Sequence, residues 1–415
     1  MSTNLDRFAQ QARAERGRFF DRDRAITVTH APGWVDLFGG IVADAGMLSL
    51  LWPTGDGVMV ALQPDPEPII RFRVGQRIDS IPCTALFLPA GPREYADAAG
   101  EIDLHQPPRS PWWGPALMAW VALMREEFAR FGGGARVMLQ WTDPPGLAVS
   151  VIAAIAQALA KAYGIHVAPR ELAIACAEGL ARLERRSAGA ELIGTLTTVC
   201  APANELVMVN PYTAQIGGSA HLPPSSAIWV IRAGDEPRQP LARVRTALAH
   251  IERLLAQHDH EPALAKLRLS DFIRHARDRL PADPTGERQH TMPLAALAAF
   301  ALAEQQRSRL ALALLRAAAS RAQRDDDLRL VGELLTQSHW EQAALGLTDP
   351  HADALVEQLA SLPNIFGARQ PVAATHATLV VFGRSDAEAD VQRVATAYQA
   401  SAGLAVKVLA HKVQN

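Results

Sequence analysis

The sequence predicts an α+β protein in two lobes, and three observations carry that expectation. The first hundred residues read as strands, the stretch from Leu241 to Leu362 is rich in alanine, leucine and arginine at helical spacing, and the end returns to a strand, a helix and a strand. The texture changes at about Ala233, so a first domain is expected over 1–232 and a second over 233–415. A chain of 415 residues with 49% hydrophobic and 20% charged residues holds about two globular domains and is not disordered as its main state.

After a polar, amphipathic opening, Ile26-Thr27-Val28-Thr29 alternates like a strand and runs into Ala31-Pro32-Gly33, a turn signal. Val58 to Leu62 and Ile69 to Val74 read as strands, with Pro64 to Pro68 as a proline-rich linker between them. From Trp112 to Phe131 apolar residues recur at helical spacing, and Gly132-Gly133-Gly134 supplies a stop. Arg136 to Trp141 reads as a strand. Leu147 to Tyr163 reads as a helix with almost no polar face, the mark of a buried helix. Pro169 to Arg186 reads as an amphipathic helix opened by proline, Thr195 to Val209 as β-like, and Ala227 to Ile231 as a strand. The final piece is a strand over Ala377 to Phe382, a helix over Ala387 to Ala400 and a strand over Ala405 to Leu409.

With 41 basic and 43 acidic residues the formal charge is −2, so no global field draws nucleic acid or an anionic membrane, and neither is expected as a partner. Cys83, Cys176 and Cys200 form no C-x-x-C pair, which argues against a disulfide framework or a zinc ribbon and for a reducing cytoplasm; no metal site is expected. The opening residues lack an apolar leader core, and the most apolar stretches, Leu147 to Ala160 and Pro293 to Ala303, fall short of the roughly 20 residues that cross a bilayer. Lysine stands only at Lys161, Lys266, Lys407 and Lys412, so a mechanism needing a phosphate-binding lysine has few candidates.

Ala31-Pro32-Gly33-Trp34-Val35-Asp36-Leu37-Phe38-Gly39-Gly40 resembles the first signature of galactokinases, within the GHMP kinase superfamily, A-P-G-R-V-N-L-I-G-E-H-T-D. Other segments resemble that family in the same order. These are Trp112-Trp113-Gly114, Pro145-Gly146-Leu147, the helix bearing Glu304, Gly332-Glu333-Leu334-Leu335-Thr336-Gln337-Ser338-His339, Pro350 to Val356, and Gly367-Ala368-Arg369. The resemblance spans most of the chain. It implies a two-lobed GHMP kinase-like fold, and ATP-dependent phosphorylation of a sugar hydroxyl in a cleft between the lobes.

Read residue by residue, most of that chemistry is missing. The family's arginine is Trp34, which carries one N–H donor and no charge. Its sugar-binding E-H-T-D run is Gly40-Ile41-Val42-Ala43, leaving Asp36 and Asp44 as the nearby acids, either for the substrate cleft or for a turn or cap. The phosphate loop P-x-G-x-G-L-S-S-S-A reads Thr142-Asp143-Pro144-Pro145-Gly146-Leu147-Ala148-Val149-Ser150-Val151, where two prolines remove two N–H donors. Gly146 and Ser150 are the residues of this loop assigned to a nucleotide, although a serine in an apolar helix also bonds its own backbone.

The family's catalytic aspartate falls in a window whose acid is Glu191, a candidate general base. The third glycine turn is Val372 to Ala377, where β-branched residues disfavour positive φ and His376 is a candidate for the substrate cleft, to bind a ligand or metal, or a structural histidine. Arg369 follows the family pattern and is the cationic candidate, for a nucleotide or for an ion pair. The expectation is a galactokinase-like protein deficient in phosphoryl transfer that binds a small molecule, a sugar or a protein partner. The alternative is an active sugar kinase using ATP and Mg with a rebuilt site of Glu191, Ser150 and Arg369.

Overall fold

A computed structural model describes residues 2–142, 144–184, 188–202, 204–233, 240–257, 263–280, 292–320, 324–371, 377–403 and 405–411. The chain forms two compact units, Met1–Trp34 with Pro53–Ala201, and Val35–Trp52 with Pro202–Asn415. The second unit thus draws on residues 35–52 of the chain as well as on the stretch from Pro202 onward.

In the first unit, α1 (Ser2–Ala14) precedes β1 (Thr27–Phe38) and the long β2 (Ser49–Asp65); both strands continue into the second unit. β3 (Ile69–Val74) and β4 (Arg77–Pro82) follow, then α2 (Tyr95–Leu104), α3 (Trp113–Arg125) and β5 (Gly134–Trp141). The strand order is β4-β3-β5-β2, with β3 parallel to β5 and the other pairs antiparallel. α4 (Leu147–Ala162) and α5 (Pro169–Leu183) pack with α3, and α6 (Ala188–Cys200) packs with α4 and α5. Phe8 and Ala12 of α1 close an apolar cluster with Phe19, Phe20, Met59 and Ala61. Phe72 of β3 meets Trp112, Trp113 and Trp120 edge to face at 5.3, 5.4 and 6.1 Å, tying the sheet to α3.

The second unit opens on the end of β1, the 3-10 helix Gly40–Ala45 and the start of β2, where Ser49, Leu50 and Leu51 pair with β6 (Glu205–Asn210). β7 (Gln215–His221) pairs with β6. A second sheet has the order β9-β10-β8-β11, from β8 (Ser226–Ala233), β9 (Ile365–Arg369), β10 (Ala377–Arg384) and β11 (Val406–His411). The helices are α7 (Pro240–Ala256), α8 (Leu294–Ser320), α9 (Arg324–Ala344), α10 (Pro350–Ala360) and α11 (Glu388–Ala402).

This is the expected α+β architecture, with the terminal strand-helix-strand in β10, α11 and β11. Three local readings are corrected. Ala31-Pro32-Gly33 continues β1 rather than turning, and Gly33 is needed for close approach: a Cβ there would lie 2.6 Å from Thr54 Oγ1 and 2.7 Å from Pro144 Cβ. The helix read to Phe131 ends at Arg125, before the glycine triplet, and Glu127 takes φ 60°. The segment read as strand from Thr195 is helix to Cys200 before β6 begins. The Thr197 and Thr198 hydroxyls donate to the carbonyls of Ile193 (2.7 Å) and Gly194 (2.8 Å), which accommodates β-branched residues inside a buried helix.

Candidate functional site

In the first unit, β1 delivers Trp34 to the start of α4. The Trp34 backbone N–H donates to Pro145 O (3.1 Å), the Ser150 hydroxyl to Pro32 O (2.8 Å) and Gly146 O (3.3 Å), and the Thr142 hydroxyl to Asp56 Oδ1 (3.0 Å). These bonds tie Pro145 and Ser150 to β1 and Thr142 to β2. Gly146 caps α4 at φ 71°, a left-handed conformation that favours glycine, and no side chain caps the helix.

The Trp34 side chain is only 7% exposed and lies between two glycines. A Cβ built on Gly146 would fall 2.3 Å from the indole Nε1, and one on Gly194 of α6 would fall 2.6 Å from Cε2. The indole N–H is buried without a hydrogen-bond partner. Glu191, one turn before Gly194 on α6, is buried as well.

In the second unit, Asp36, Glu304 and Arg369 are 1%, 0% and 0% exposed. Arg369 Nη1 donates to Leu37 O and lies 3.2 Å from Glu304 Oε2; Nη2 lies 3.6 Å from Asp36 Oδ2, and the guanidinium stands over the Phe38 ring. With its amide oxygen turned toward the guanidinium, Gln342 accepts from Nη2 (2.7 Å) and Nε (3.2 Å). Glu304 also accepts from the Gly39 N–H (3.0 Å) and from Arg307 Nη1 (3.0 Å), and Arg307 reaches Glu341. Burial pushes the Asp36 carboxyl above its ordinary value, against the pull of Arg369.

The segment after this cluster is apolar core. Ile41, Val42, Ala45 and Met47 pack with Val244, Leu248, Ile251, Phe272, Leu297 and Phe300. Asp44 at its rim pairs with Arg245 Nε at 2.6 Å.

The structure therefore brings Trp34 and Gly146 together with Ser150 nearby, and, separately, Asp36 and Arg369. Ser150 bonds backbone carbonyls, and Arg369 and Asp44 sit in ion pairs. His376 and residues 372–375 lie outside the described residues. Sequence reasoning missed Gly194, Arg307 and Gln342. A readable signal existed for one of them, since Glu304 and Arg307 are an i, i+3 acid-base pair in the helix, and Glu304 is its one acid. Among the described residues no group of three or more His, Cys, Asp or Glu is arranged to hold a metal ion, and no helix is long and apolar enough to cross a membrane.

No family model matches the chain. L-arabinokinase of Arabidopsis thaliana is 25% identical over 250 residues, covering 52% of this chain and 24% of that protein, so the chain matches about a quarter of its curated relative's length. Among solved structures, galactokinase of Lactococcus lactis in complex with galactose superposes with TM-score 0.76 at 14% identity, covering 99% of both chains. The chain has the GHMP kinase fold. Mevalonate kinase of Methanococcus jannaschii superposes with TM-score 0.58 at 12% identity, covering 95% of this chain and 100% of that one.

A GHMP kinase fold implies ATP with Mg, and the residues at the start of α4 do not fit a polyphosphate. Trp34 fills the space beside Gly146, and Pro144 and Pro145 have no N–H to offer.

Proposed function

We propose that this chain is a galactokinase-type sugar kinase relative that no longer transfers a phosphoryl group and acts as a binding or regulatory protein for a sugar or related small molecule. One observation carries the loss of transfer. Residues 40–45, where the resembling kinases place sugar-binding acid, histidine and threonine, are here a 3-10 helix whose Ile41, Val42 and Ala45 are sealed in the core with Phe300. An apolar core offers no hydrogen bonds with which to orient a hydroxyl for attack. The sugar class is supported by what the similar proteins are called, an arabinokinase and a galactokinase holding galactose.

Calorimetry of the whole chain with a panel of neutral sugars, alone and with ATP and Mg, tests this beside an assay of ADP release. Sugar binding without turnover is expected. Sugar-dependent ADP release would overturn the reading in favour of a working kinase, and Glu191→Gln would then show whether Glu191 is its base.

A further inference from the structure

The indole of Trp34 does more than replace a charged residue. α4 is a 16-residue helix whose first N–H groups have no intrahelical acceptor and no side-chain cap, and they carry the positive end of the helix dipole. Such an end ordinarily attracts an oxyanion or a carboxylate. Here it meets an aromatic ring whose Nε1–Cε2 edge is pressed against both Gly146 and Gly194, so close that no Cβ fits at either position. Both glycines are thus required by the ring itself.

The indole Nε1, the positive edge of the ring, is buried beside the Gly146 turn with no acceptor. A donor facing a helix end made of donors gains nothing electrostatically; an acceptor placed among them would satisfy both. We propose that Trp34 is a built-in occupant of an anion site. The uncapped N–H groups at the helix end are where an oxyanion would sit, Pro144 and Pro145 offering none, and the ring takes that place, so the closed site excludes inorganic polyphosphate and nucleoside triphosphate alike.

The inference rests on the reading above for its setting, and the two fail differently. Sugar-dependent turnover by the wild-type chain would sink the functional reading. A folded Trp34→Ala variant that gains no anion binding would sink the occupant while leaving that reading intact.

The experiment is calorimetric titration of inorganic triphosphate, and in parallel ATP with Mg, into the wild-type chain, Trp34→Ala and Trp34→Phe. Trp34→Ala is expected to bind triphosphate at least about tenfold more tightly than the other two, and free indole is expected to refill the vacated space and displace the anion. Equal binding of ATP and triphosphate would place recognition on the phosphates, as the site requires. Binding of ATP without triphosphate, binding that indole leaves unchanged, or wild-type binding as tight as that of Trp34→Ala would each overturn the proposal.

Should Trp34→Ala fail to fold, wild-type protein carrying 5-fluorotryptophan gives the answer. The Trp34 resonance, assigned with Trp34→Phe, is expected to stay unmoved at millimolar triphosphate. Movement would overturn the occupant.

Discussion

Around Trp34 a large aromatic ring fills the space between Gly146 and Gly194, whereas around Arg369 two acids and two arginines are buried and matched to one another. Each region reaches stability by a different physical route. The first depends on shape: the ring fits because two residues lack a Cβ. The second depends on charge: Arg369 answers both Asp36 and Glu304 in a medium of low dielectric, so its removal leaves more buried negative charge than Arg307 alone can match. Substitutions should therefore be tolerated by different rules in the two places.

The charge-matched region should break hardest. Arg369→Ala strands Asp36 and leaves Glu304 to Arg307 alone, and it is expected to cost about 3–5 kcal/mol in denaturant unfolding. A loss under about 1 kcal/mol would mean that Arg307 and Gln342 redistribute to cover both acids, and the contrast with the ring-filled region would fall.

The shape-matched region comes next. Gly146→Ala must take φ 71° and also push a methyl group into the indole, for about 2–4 kcal/mol together. Gly75 is the control, at φ 59° with nothing within 4 Å of an added Cβ. Gly75→Ala should show the backbone cost alone, about 1 kcal/mol. Equal losses at the two glycines would remove the ring from the explanation.

How legible these regions were in the sequence follows from the same distinction. Order along the chain identified the fold, and Leu147 to Tyr163 announced a buried helix because its polar face is missing. At Thr195 to Cys200 the threonines suggested a strand, because β-branched preference is a local quantity while their bonds to Ile193 and Gly194 carbonyls exist only once the helix is packed. Trp34 could be read as a lost charge, but its place between two glycines depends on the return of α6, which no spacing announces. Arg369 was readable as a cation that could pair. Its partners come from three elements far apart in sequence, the end of β1, α8 and α9, so only the fold could name them.

Smaller effects sharpen the comparison. Val42→Thr keeps the shape and adds one hydroxyl to a fully buried site; about 1–3 kcal/mol of destabilisation is expected, because the apolar cluster offers it no ready partner. A neutral result would indicate that polar groups are still accommodated in the 40–45 segment. Ser150→Ala removes the bond to Pro32 O and should cost about 0.5–1.5 kcal/mol, with no change in ligand binding if the hydroxyl only holds the turn.

The most delicate expectation is a slope rather than a drop. Desolvation holds the Asp36 carboxyl above its ordinary value of 3.8, with Arg369 opposing the shift. An acid with a raised folded value binds its proton more tightly folded than unfolded. Its contribution is therefore fully present below the unfolded value and is lost as pH rises through the folded one. Asp36→Asn removes that loss without changing the shape of the side chain. Denaturant midpoints measured from pH 4 upward should therefore decline less with pH in the variant than in the wild-type chain. Parallel curves would mean that Asp36 titrates alike in both states. Arg369 would then be balancing the cost of burial fully, and the charge-matched region would be as insensitive to pH as the ring-filled one.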